Sequence, residues 1–139
     1  MNDEMHEYDR FLFSLVTEFT RRALPQIRSL WADLMELEEA SDPHALRVAR
    51  AQTLRRLQIL RQAARAVDAA QVQSLSQTLA QSVVTVPDER NAHRQELFEF
   101  LYQTMRELTE ALYVIQAVPS AIGQNGHPTE SELVDSYAN

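Results

Sequence analysis

The chain runs from residue 1 to residue 122 without a glycine; its two glycines, Gly123 and Gly126, stand near the end of 139 residues. Sheet proteins of this size need glycine at several hairpin turns, where positive φ is required. Its absence predicts helices joined by short connections. The chain is long enough to bury one core, and 45% of its residues are hydrophobic, as in ordinary globular proteins. No cysteine is present, which excludes a disulfide frame, a thiol nucleophile and cysteine-bound metal.

Apolar periodicity places the helices. Phe11, Leu12, Leu15, Val16 and Phe19 recur at spacings of three and four, predicting a first helix from Asp3 to about Ala23. Pro25 is expected to interrupt it, with Leu24 pushed away from helical angles. A second helix then runs from about Gln26 to Ala40, with Ile27, Leu30, Trp31, Leu34 and Leu37 on one face. Ser41-Asp42-Pro43 starts a third, Asp42 as the cap and Pro43 at the first helical position, running to Val67. Asp68 is expected to cap a fourth, Ala69 to about Val83, with Val72, Leu75 and Leu79 inside. Thr85-Val86-Pro87 opens the fifth and longest helix, which ends before Pro119. Its stripe is Leu97, Leu101, Met105, Leu108, Leu112 and Ile115, widened by Phe98, Tyr102 and Tyr113. The prediction is an all-α, antiparallel four- to five-helix bundle over residues 1–118. A flexible tail is expected over 119–139, with capping-box spacing at Thr129 to Glu132.

Charge is the clearest functional signal. The chain carries a net −7, yet from His44 to Val67 there are six arginines and no acid. All thirteen basic residues are arginine, whose planar fork suits carboxylate or phosphate. At about 100° per residue, with Arg47 at zero, Arg65 returns to about 0°, Gln58 to about 20°, Arg61 to about 320° and Arg50 to about 300°. Leu46, Leu57, Leu60, Ala64 and Val67 fall at roughly 200–280° on the same projection. Gln58 therefore stands among arginines on a polar face. The plain alternative is that these arginines are a solvated surface, or pair with Asp33, Glu36, Glu38 and Glu39 on the preceding helix.

The segment from Leu57 to Leu79 resembles the centre of a histidine phosphotransfer (HPt) domain. Gln58 takes the position of the phosphorylated histidine, Arg61 that of the lysine three residues on, and Gln62 that of the following glycine. Ala63, Ala64 and Ala66 supply the small residues. Asp68 stands at the usual turn glycine, and Val72, Leu75 and Leu79 match the apolar positions of the next helix. A second register, Ala51-Gln52-Thr53-Leu54, again puts glutamine at the histidine but fits the later glycines less well. The resemblance implies a helical bundle that docks on a receiver domain. Glutamine has no titratable nitrogen, so phosphotransfer competence is not implied. The acidic pocket of a receiver would complement Arg47, Arg50, Arg61 and Arg65 around Gln58.

Other chemistry finds less support. His6, His44, His93 and His127 read as surface residues. Glu89 and His93, one turn apart, are half of a metal site with no second half, so no metal or other cofactor is expected. No phosphate loop, nucleotide fingerprint or base–nucleophile pair is visible, and no enzyme is expected. An acidic body without aromatics among the arginines opposes nucleic acid, and the arginine face reads as alanine and glutamine only, which opposes membrane binding. Met1 to Arg10 is acidic and polar, unlike a secretion signal, and no run approaches the 18 or so apolar residues of a membrane span; a bacterial-type cytoplasmic setting is expected. The functional expectation is a non-catalytic regulatory adaptor that binds a receiver domain or other acidic protein. The alternative is a secretion or flagellar export chaperone, or a structural subunit, gripping a partner helix or forming a homodimer through the long fifth helix.

Overall fold

A computed structural model describes the backbone of residues 2–124 and the side chains of residues 7–115. Among the described residues there are four helices and no strand: α1 Asn2–Glu39, α2 Pro43–Ala66, α3 Ala70–Val84 and α4 Ala92–Gln124. Each packs chiefly on its neighbours in sequence, and α4 closes the ring against α1. The all-α antiparallel bundle is as expected, with four helices.

The first expected boundary is absent, because α1 continues through Pro25. Proline costs a helix one N–H donor and crowds the carbonyl four residues back, here that of Arg21. Pro25 and Arg21 are both exposed, so water can satisfy that carbonyl. Meanwhile Ala23 and Ile27 on either side are buried, and tertiary packing carries the helix across. The expected boundaries of the last helix also move. α4 begins at Ala92, where the Asn91 side chain accepts from the Arg94 N–H at 2.9 Å, and it continues through Pro119 to Gln124. The remaining tail, with Thr129 and Glu132, lies outside the described residues.

The start of α2 is as expected. Asp42 has extended backbone angles and its carboxylate accepts from the Ala45 N–H at 2.8 Å, with Pro43 in the first turn. Asp68 behaves otherwise. It does not cap α3, whose first residue has no side-chain cap; instead it adopts φ 57°. The Ala69 N–H bonds to the Ala64 carbonyl at 2.8 Å and the Asp68 N–H to the Arg65 carbonyl at 3.2 Å. That pair of bonds is a Schellman closure of α2, and it places its left-handed residue at Asp68.

The core is a leucine-rich column. Leu30, Leu34 and Leu37 from α1 meet Leu57 and Leu60 from α2, Val72 and Leu79 from α3, and Leu101, Met105, Leu108 and Leu112 from α4. Trp31 stacks on Tyr102 with ring centroids 5.9 Å apart and donates to the Thr109 hydroxyl at 3.3 Å, fixing α1 against α4. Phe11 and Tyr113, expected within apolar stripes, are exposed. Phe11 lies beyond the level at which α2 ends, so α2 does not cover it.

The opposite end is held by arginine. Arg94, only 4% exposed, donates to the carbonyls of Leu37 (2.9 Å), Glu38 (3.1 Å) and Ala40 (3.2 Å), and to that of Asp88 at 3.3 Å. The last carbonyls of a helix have no partner of their own, and Arg94 satisfies those of α1. Its guanidinium lies 5.7 Å from the centre of the Phe98 ring. Burial pulls its pKa below the usual guanidinium value, and nearby Arg90 adds to that effect. Arg90 also donates to the Glu39 carbonyl.

Candidate docking face

α2 presents its arginines outward because its leucines face the core. Leu46, Ala49, Thr53, Leu57, Leu60 and Ala64 are buried, and the Thr53 hydroxyl folds back onto the Ala49 carbonyl at 2.8 Å. Arg47, Arg55, Gln58, Arg61 and Arg65 are exposed. Among the described residues none of these arginines has a carboxylate within ion-pair distance; the ion pairs are Arg21 and Arg22 with Glu18, and Arg56 with Asp33. Arg47 donates weakly to the Pro43 carbonyl, 3.4 Å away within its own helix.

Two of the six arginines of α2 are engaged. Arg50 was expected on the open face. It is half-buried and donates to the Val86 carbonyl, while its Nε is buried without a partner. Its position at about 300° on the helical projection adjoins the leucine stripe, which explains the placement. Arg56 holds the buried Asp33 at 2.6 Å and reaches the Gln26 side chain at 3.2 Å. Of the four acids offered as partners, Asp33 alone is paired with an arginine of α2, and with one outside the expected docking set. Glu38 instead accepts from the Tyr102 hydroxyl at 3.3 Å.

The face is also less uniformly polar than expected. Val48 and Ile59 are 45% and 48% exposed. They stand eleven residues apart, three turns of helix, and so share one line with Arg55 between them. The surface is a short apolar ridge flanked on one side by Arg47, Gln58, Arg61 and Arg65. α3 beside it carries no charged residue at all. From residue 43 to residue 87 the six arginines face one acid, Asp68, an excess of five positive charges in a chain of net −7.

This arrangement can hold a carboxylate-rich surface through guanidinium forks, but it offers no acid–base pair. His44 and His93 are exposed, and Glu89 lies before α4 begins, so the helical spacing to His93 does not apply. No group of three metal-binding side chains occurs, and no helix is long and apolar enough to cross a membrane, among the described residues. Sequence reasoning missed the role of Arg94. Its signal was present: a cation in the first turn of a helix opposes the helix dipole and needs another reason to be there. Comparison with known proteins finds no matching family model, no matching curated protein and no matching solved structure.

Proposed function

We propose that the chain is a non-catalytic, cytoplasmic binding adaptor that engages an acidic protein surface through the open arginine face of α2. The observation that carries this reading is that Arg47, Arg61 and Arg65 surround exposed Gln58, with no carboxylate of the described residues engaging them. A guanidinium left open keeps its full capacity for a partner's carboxylates. The HPt-like register supports a receiver domain as that partner. Gln58, at the histidine position, is exposed; Asp68, at the turn-glycine position, holds the positive φ that glycine favours; of the apolar positions Val72 and Leu79 are buried and Leu75 is half-buried.

Titration calorimetry of candidate receiver domains against the chain tests this. Binding should weaken as salt rises, because exposed charges are screened over about 8–10 Å at physiological ionic strength. An Arg61→Glu plus Arg65→Glu variant should lose binding, and equal affinity in that variant overturns the docking face. The second reading, a chaperone or assembly subunit that grips a helix, is favoured by exposed Tyr113 and Val114 on α4. It predicts capture of an amphipathic helix that leaves the arginine face unprotected.

A further inference from the structure

α1 has 38 residues and α2 has 24, so the beginning of α1 extends about 14 residues, roughly 21 Å, beyond the turn that ends α2. The side of α1 that α2 covers is marked by Gln26 and Asp33, which hold Arg56. Tyr8 lies eighteen residues before Gln26, and Leu15 eighteen before Asp33. Eighteen residues are five turns, so Tyr8 and Leu15 continue the same side where α2 no longer covers it. Tyr8 is 63% exposed, Phe11 60%, and Leu12 and Leu15 are half-buried. The charged residues of the overhang are Asp3, Glu4, Glu7 and Asp9 against Arg10, while Glu18 just beyond it is paired with Arg21 and Arg22. On this side the overhang is an acidic amphipathic stretch that α2 does not reach, and α2 has a basic face with an apolar ridge that no carboxylate of the described residues engages.

We infer that these two surfaces meet between two copies of the chain. The overhang of each copy lies on the C-terminal half of the other's α2, over Arg55, Ile59, Arg61 and Arg65. The exposed apolar side chains of α1 meet Ile59, and Glu7, on the Phe11 side of Tyr8, meets the arginines. The dimensions agree, since half of α2 is about 18 Å long. Each copy supplies one acidic helix and one basic face, so an antiparallel two-fold pair uses both contacts and closes. The inference rests on the proposed function in using the same arginine face, and it makes self-association a competitor of the external partner.

Sedimentation velocity of the full chain tests it. The wild type should shift with concentration towards twice its 15.9 kDa mass, less so at high salt. Tyr8→Ser plus Phe11→Ser should raise the dimer dissociation constant at least about tenfold, as loss of a buried aromatic anchor does. Arg61→Glu plus Arg65→Glu, and separately Glu7→Arg, should each be monomeric, and mixing the two should restore association. Amide exchange of the unsubstituted chain at two concentrations needs no variant: protection over residues 8–18 and 55–66 should rise with concentration. A wild type that stays monomeric to about 1 mM, or a Tyr8/Phe11 variant that pairs unchanged, overturns the inference. The adaptor reading fails separately, because the Tyr8/Phe11 variant keeps its arginine face and should bind a receiver domain more tightly than wild type.

Discussion

Replacing Arg94 should cost more stability than replacing any arginine of the docking face. Its guanidinium is buried and shared among the last carbonyls of α1 and the Asp88 carbonyl. Hydrogen bonds from a charged donor contribute about 1.5–3 kcal/mol, and carbonyls left dry and unpaired cost a further 1–3 kcal/mol or so. These terms overlap, and an Arg94→Ala loss of about 3–5 kcal/mol is expected. Total stability of a domain this size is on the order of 5–15 kcal/mol, so the loss is a large fraction. The assay is urea unfolding followed by far-UV circular dichroism. At a slope of about 2 kcal/mol per molar the midpoint should fall by roughly 1.5–2.5 M with the slope unchanged. Arg94→Met separates causes, because it keeps an apolar stem beside Phe98 but donates nothing. It should lose nearly as much as the alanine variant. A methionine variant as stable as wild type would show that Arg94 acts by filling space, and that the carbonyls of α1 find water without it.

Two further expectations concern the turn and the aromatic pair. Asp68→Gly relieves a left-handed residue that carries a side chain, partly offset by glycine's greater freedom when unfolded; a gain of about 0.5–1 kcal/mol and a rise of roughly 2–5 °C in Tm are expected, and a lower Tm would count against the turn described. Tyr102 is pushed up to about 12 by burial, with Glu38 acting in the same direction, so its proton is held in the folded state where the unfolded chain ionises near 10. Its contribution is complete below pH 10 and is lost as pH rises to about 12. Phenolate absorbance should show one late-titrating tyrosine that disappears in Tyr102→Phe; a titration unchanged by that substitution sinks the assignment.

Much of the fold was legible because its causes are local. The stripe from Leu101 to Leu112 and the Asp42-Pro43 helix start both behave as their spacing implies. The errors arose where a distant element decides. Pro25 reads as a break, but buried neighbours on both sides keep α1 whole. Phe11 reads as core, yet whether it is covered depends on where α2 stops. Asp68 reads as a cap because aspartate often is one; the closure of α2 takes that position first. On the candidate face, the projection separates Arg47, Arg61 and Arg65 from the leucines correctly. It cannot say that Arg50, at the edge of the stripe, has the Val86 carbonyl within reach across the bundle.

The division of labour among the arginines bears on how an acidic chain can keep a basic face. Arg50, Arg56, Arg90 and Arg94 are engaged with carbonyls or side-chain oxygens at the edges of the core, and their charges serve the fold. The excess acids sit on α1, on α4 and beyond, while residues 43–87 hold five net positive charges. Packed helices lie about 8–10 Å apart, so the outer surfaces of α1 and α4 are farther than that from the open side of α2. Physiological salt screens exposed charges over about 8 Å. The acids on the far side are therefore too distant to cancel the arginine face, although they set the sign of the whole molecule. Net charge thus governs long-range repulsion between copies at low salt, while contact is governed by which face is presented. Self-association through opposite faces should consequently pass through a maximum at intermediate salt: too little leaves the body repulsive, and too much screens the contact itself.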